Sequence, residues 1–157
     1  MSNIHVTTFV AAPAARVFDL SRNLSVYRKI FKQGAEQFSS TAGGNLLNQG
    51  DTILINEKHL GKIRSVTLKI TSYNKPWFYT EEQVRGDLLS FKHEHHFKEA
   101  ENGAIMIDII EYEYPRDMIG KLLGTLYMKS YLEELVNSRN RLIKDYAESE
   151  KWKVVIG

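Results

Sequence analysis

Residues 90–114 read SFKHEHHFKEAENGAIMIDIIEYEY, and the alternation inside this stretch decides the fold. Successive side chains of a strand point to opposite faces. One face of the first half carries Lys92, Glu94, His96 and Lys98, and the other Phe91, His93, His95 and Phe97. The charged set belongs in water, which turns His93 and His95 toward a core. Glu101-Asn102-Gly103 is a turn signal, and Ala104–Tyr114 resumes the alternation as a second strand until Pro115 ends it. Two long strands joined by so short a turn pair antiparallel.

Upstream, the same period continues. Asp51–Lys58, Ile63–Ser72 and Trp77–Val84 read as strands, separated by His59-Leu60-Gly61 and Asn74-Lys75-Pro76, with Gly86-Asp87 before the stretch quoted. Ala35–Thr41 is a weaker strand ended by Gly43-Gly44, and Ile4–Val10 a β-branched one. Between these two, Pro13 suits the first turn of a short helix over Ala14–Leu20, and Ser21–Phe31 forms a second with Ser25 as its expected cap.

Downstream, the period changes from 2 to 3.6. Ile119, Leu122, Leu123, Leu126, Leu132, Leu135, Leu142, Ile143 and Tyr146 recur three or four apart, predicting one helix from Met118 to about Ser149. At 1.5 Å per residue it would run roughly 45–50 Å, with Gly120 and Gly124 weakening its first turns. A sheet with one apolar face and one long helix to cover it must curl around that helix. The expected fold is α+β: a curved antiparallel sheet of about seven strands gripping a C-terminal helix, with two short helices after the first strand.

The 157 residues fit one domain, 43% hydrophobic and 25% charged, with no internal repeat. The absence of cysteine excludes disulfides and thiol chemistry. No basic-then-apolar leader opens the chain, and no apolar run approaches the roughly 18 residues of a membrane span. A cytoplasmic location is therefore expected. The net charge is +2, and the densest basic cluster (Arg139, Arg141, Lys144, Lys151, Lys153) is interleaved with Asp145, Glu148 and Glu150. It reads as a solvated helix surface, not a nucleic-acid face.

Several segments resemble the START-like or SRPBCC superfamily, in particular bacterial ligand-binding SRPBCC domain proteins. They are Ala11-Ala12-Pro13-Ala14-Ala15-Arg16-Val17-Phe18-Asp19-Leu20, Gly50-Asp51-Thr52, Glu81-Glu82-Gln83-Val84-Arg85-Gly86, His93-Glu94-His95-His96-Phe97, and Asp108 through Tyr112 to Pro115. The resemblance spans about residues 3–147. It departs from the family pattern at Gly86-Asp87-Leu88, where Gly-Pro-Phe is usual. It departs again at Ile105, Ile107 and Ile109, where small or charged residues are usual. The resemblance implies a helix-grip fold with a ligand cavity between sheet and helix. It does not fix an activity, because that fold hosts binders, transfer proteins and enzymes.

The family pattern also implies that Ala104, Met106, Asp108, Ile110 and Tyr112 face inward. In Phe78–Val84 the residues alone leave both faces open, and the resemblance favours Tyr79, Glu81 and Gln83 as inward. Ligand-binding candidates are therefore Tyr79, Glu81, Gln83, Phe91, His93, His95, Met106, Asp108 and Tyr112, joined by Leu126 and Tyr127 from the helix unless these only pack the core. Tyr131 shares that ambiguity. Buried ionisable groups need partners, so a satisfied polar network, polar ligand recognition and acid–base chemistry all fit this set. His93-x-His95 with Glu99 has the HxHxxxE spacing of a cupin metal motif, but the second cupin half is missing. No metal or cofactor is expected.

Three functions fit. The first is binding, for transport or sensing, of a small hydrophobic or amphipathic molecule. The second is a polyketide cyclase or dehydratase-like enzyme with His93 or His95 as base and Asp108 or Glu81 as its partner. The third is an interaction module, a homodimer through Ile105, Ile107 and Ile109. No G-x-S-x-G elbow and no P-loop is present.

Overall fold

The computed structural model describes residues 1–31, 35–59, 62–115 and 121–157, side chains at 35–36, 58–59, 62, 121–123 and 125 excepted. The expected start of the long helix at Met118, the turn at Leu60-Gly61, and Ile119, Leu122 and Leu123 of the expected stripe lie outside that description. Seven antiparallel strands are ordered β1-β7-β6-β5-β4-β3-β2. They are β1 (Ser2–Val10), β2 (Ala35–Ser40), β3 (Thr52–His59), β4 (Lys62–Asn74), β5 (Phe78–Arg85), β6 (Ser90–Ala100) and β7 (Gly103–Glu113). Helices α1 (Ala14–Ser21) and α2 (Leu24–Phe31) join β1 to β2, and α3 (Lys121–Ala147) follows the sheet. A last short helix, α4 (Trp152–Val155), packs on α1, with the Arg16 guanidinium 4.1 Å from the Trp152 ring centre.

The β6–β7 hairpin is the spine of the sheet. Ala100 pairs with Gly103 across a turn at Glu101-Asn102, whose Asn102 takes the left-handed φ of 61° that asparagine tolerates. A Cβ on Gly103 would collide with the Val10 carbonyl of β1, so only glycine lets that strand end approach. Along β7 burial alternates without a break, with Ala104, Met106, Asp108, Ile110 and Tyr112 inside. Ile105, Ile107 and Ile109 face outward, half-buried, opposite Phe9, Thr7 and His5 of β1.

Phe18 of α1 plugs one end of the grip, meeting Tyr73, Tyr79 and Phe97 edge-on with ring centres 5.2–5.8 Å apart. Helix α2 is capped by Asn23, not by Ser25. Its Oδ1 accepts the amides of Ser25 at 2.9 Å and Val26 at 3.3 Å, while its Nδ2 donates to the Val155 carbonyl. On α3 the buried stripe is Leu132, Val136, Arg139, Asn140, Ile143, Tyr146 and Ala147. Arg139, expected on a solvated surface, is thus part of the interior. Gly124 has a specific use: a Cβ there would meet the Tyr114 hydroxyl at 3.0 Å, so the glycine lets β7's exit lie against the helix.

Candidate functional site

The inner face carries a polar network amid apolar walls. His95 and Asp108 are direct partners across β6 and β7, and His95 Nδ1 lies 2.9 Å from Asp108 Oδ1. His93 reaches the same oxygen diagonally through Nε2, also at 2.9 Å. Across the β5–β6 pair, His95 Nε2 is 3.3 Å from Glu81 Oε2 and His93 Nδ1 is 4.0 Å from it. The Tyr27 hydroxyl of α2 donates to Glu81 Oε1.

Helix α3 closes the network from the other side. Asn140 Nδ2 donates to Asp108 Oδ2 at 2.7 Å and to Thr8 Oγ1 at 3.2 Å. Arg139 Nη1 lies 3.5 Å from Asp108 Oδ1, and its Nη2 donates to the Tyr79 hydroxyl at 2.9 Å and to Ser21 Oγ. Tyr79 stacks on His95 with ring centres 4.3 Å apart. Taking charges out of water costs several kcal/mol per ion unless partners replace the hydration shell. Here they do, for every atom of the two carboxylates.

Burial alone would raise the Glu81 carboxyl, but the His95 hydrogen bond, the two imidazoles and Tyr27 bring it down to about 2. Asp108 is held well below the carboxylate range because hydrogen bonds from His93 and His95 and the Arg139 charge outweigh its burial. His93 is pushed down to about 4, first by burial and then by His95, against the pull of Asp108. Burial lifts Tyr79 to about 12 and raises Tyr27 well above its ordinary value, so both remain neutral donors. Burial opposes the Arg139 charge, yet the surrounding phenols and carboxylates hold its pKa above the ordinary guanidinium value. At neutral pH the network holds two carboxylates, one guanidinium and a neutral His93.

A cavity of about 390 Å³ lies beside this network, between α3 and strands β3 to β6. Its walls include Ile55, Val66, Leu68, Phe91, Tyr127, Met128, Leu132 and Leu135, and its rim carries Glu57, Arg64, Gln83 and Asp87. Polar contacts at the rim include Tyr131 donating to Glu57 Oε2 at 2.5 Å, Gln83 Nε2 donating to the Leu88 carbonyl at 2.9 Å, and the Arg64–Asp87 pair. A smaller inner chamber of about 50 Å³ shares Phe31, Leu68, Phe91, Leu132 and Leu135 with the cavity. It ends on Tyr27, Glu81, His93 and Arg139. The buried Arg139 Nε has no hydrogen-bond partner among the described residues.

The candidates therefore separate. Gln83, Phe91 and Tyr127 line the cavity, and Glu81, His93 and Phe91 line the chamber. Tyr79, His95 and Asp108 stand behind them in the network. Met106 and Tyr112 face inward but are packed in the apolar core and line neither space. Leu126 is 58% exposed and lines neither, which removes it from the inward face. Glu99 is exposed and apart from the histidine cluster, so the HxHxxxE spacing does not form in space. Tyr27, Ser21, Arg139 and Asn140 were not expected. A sequence signal existed for Arg139 alone, which interrupts the helical spacing Leu132, Val136, Ile143.

The sequence matches no family model and no curated protein. Solved structures do match. TTHA0849 from Thermus thermophilus superposes with a TM-score of 0.71 at 16% identity, covering 90% of this chain and 97% of that one. Ginseng major latex-like protein 151 from Panax ginseng gives 0.67 at 14% identity over 94% and 98%. The di-domain ARO/CYC BexL from the BE-7585A biosynthetic pathway gives 0.76 at 12% identity over 94% of this chain and 50% of that one. The chain has the helix-grip fold. Its length spans half of the di-domain protein. Among the described residues of this helix-grip chain, no helix is long and apolar enough to cross a membrane.

Proposed function

We propose that this chain binds a small amphipathic molecule, its apolar body in the cavity and its polar group against Glu81, His93 and Arg139. One observation carries the reading. An apolar space within the usual few hundred Å³ of ligand pockets continues, through shared walls, into a chamber ending on ionised and imidazole groups. The unpartnered Arg139 Nε supports a ligand group that accepts a hydrogen bond. Titration with 1-anilinonaphthalene-8-sulfonate, an apolar probe with an acceptor head, tests it: saturable binding of one probe per chain is expected. Native mass spectrometry after exposure to a lipid extract should show one bound molecule. A chain that takes up neither overturns the proposal.

A second reading, acid–base catalysis of the cyclase kind, is favoured by the exposure of His93 to the chamber. Asp108 fixes its Nε2, as an orienting carboxylate fixes a general base. His95 does not line the chamber, so any base in this reading is His93. Turnover unchanged in His93→Gln, for any substrate found, would sink it.

A further inference from the structure

Glu81, His93 and His95 each bring one ligand atom to within 4.8 Å of the others, all three side chains being buried. Asp108 Oδ1 engages His93 Nε2 and His95 Nδ1, so the opposite nitrogens, His93 Nδ1 and His95 Nε2, are the ones turned to Glu81 Oε2. Metal-binding imidazoles are oriented in this way, by a carboxylate on the ring nitrogen remote from the ion. Two imidazoles and one carboxylate are also a complete protein ligand set for a catalytic-type site, which keeps its remaining positions open. We propose that Glu81, His93 and His95 form a site for a first-row divalent transition-metal ion of the Zn²⁺ class, with Asp108 as its outer carboxylate.

The dimensions fit with little movement. Bonds of about 2.0–2.2 Å in a tetrahedral shell place ligand atoms about 3.4 Å apart. His95 Nε2 and Glu81 Oε2 are already 3.3 Å apart, and His93 Nδ1 must close from 4.0 Å. The charges fit as well. Two carboxylates against Arg139 leave the cluster one negative charge in excess when both imidazoles are neutral ligands. The rigid β5–β6–β7 register holds all four groups, and Glu81 and His93 border the inner chamber, where an open position would receive water or a ligand atom. The alternative is a hydrogen-bonded network and nothing more.

The test needs no organic ligand, so it stands apart from the proposed binding of an amphipathic molecule. Full-length protein without a polyhistidine tag is stripped with chelator and titrated with Zn²⁺ by calorimetry and Co²⁺ by absorbance. One ion per chain with Kd below about 1 µM is expected. Glu81→Gln and His93→Ala should each weaken it by 100-fold or more. Asp108→Asn should weaken it by about 10–100-fold, while His5→Ala with His96→Ala leaves it unchanged. X-ray absorption of the Zn²⁺-loaded unmutated protein should find two imidazole nitrogens in the shell, a readout independent of how the variants fold. No stoichiometric ion, a shell without two imidazoles, or an ion retained by His93→Ala with His95→Ala would overturn the proposal.

Discussion

Arg139 of α3 and Asp108 of β7 lie 3.5 Å apart in an interior from which both are almost wholly withdrawn from water. The pair joins the long helix to β7, next to the β1 edge of the sheet, by charge, where a helix-grip domain could have used apolar packing. Removing one partner strands the other, which for buried pairs costs about 3–5 kcal/mol. Arg139→Leu should therefore lower unfolding free energy by about 3 kcal/mol, leaving Asp108 and Glu81 uncompensated. Arg139→Leu with Asp108→Asn should cost less than the sum of the single changes. Urea denaturation of the four proteins gives the coupling energy, and strict additivity would refute the pairing.

Acid should unfold the metal-free protein through the same network. Glu81 from β5, His95 on β6, Asp108 from β7, Tyr27 from α2 and Arg139 from α3 all face His93. Glu81 and Asp108 titrate below their ordinary values when folded, so their contribution is full above the unfolded pKa near 4 and is lost as pH falls below it. His93 drops from 6.5 to about 4, so the unfolded chain takes up that proton first and stability declines from about pH 6.5 to 4. All three act in one direction. Stability should fall steadily from pH 7 to pH 3, by a few kcal/mol in order of magnitude, and His93→Gln should flatten the upper part of the curve. A flat profile between pH 7 and 4 in the unmutated protein would contradict this.

The Asn23 cap makes a separate prediction. Its Oδ1 satisfies two amides at the start of α2, and its Nδ2 ties the C-terminal segment at Val155. Asn23→Ala should cost about 1–2 kcal/mol, since it removes a cap in a buried setting. Asn23→Asp keeps an acceptor for the amides but loses the donor to Val155, and it places a carboxylate where Asn23 is fully buried. It should be no better than alanine. Thermal denaturation of the two variants decides the order, and an unchanged Tm for Asn23→Ala would remove the cap from the account.

What was legible in the sequence follows from how local each signal is. Alternation of a few residues suffices to turn His93 and His95 inward, because Lys92, Glu94 and Lys98 leave them no other face, whereas the inward place of Asp108 on the next strand comes from the family resemblance. The strands and α1 emerge within two residues of their expected ends for the same reason. The helical spacing marks the position of Arg139 but not its role, because its partners Asp108, Tyr79 and Ser21 are 31, 60 and 118 residues away. A charged side chain on a helix points to water unless distant elements supply its hydrogen bonds. The cap moved from Ser25 to Asn23 because either residue type can begin a helix, and only the buried tie to Val155 decides between them. Leu126 satisfies helical spacing yet is exposed, since Gly124, Tyr127, Met128 and Tyr131 hold the cavity-facing side of that part of α3.

Leu135 offers the most direct control over the cavity. It is half-buried and lines both the large cavity and the inner chamber, at the junction between apolar and polar ends. Tryptophan there would fill existing space, so the overpacking penalty of about 1–3 kcal/mol seen in filled cores should be largely avoided. Leu135→Trp is therefore expected to change stability by less than about 1 kcal/mol while reducing 1-anilinonaphthalene-8-sulfonate affinity at least tenfold. Tyr131→Phe makes a useful contrast. It removes the hydroxyl that bridges α3 to Glu57 at the rim but leaves the interior volume intact. It should speed probe release several-fold and alter the final affinity far less. Stopped-flow fluorescence separates the two effects. Undiminished binding in Leu135→Trp would place the probe outside the cavity, whatever its affinity.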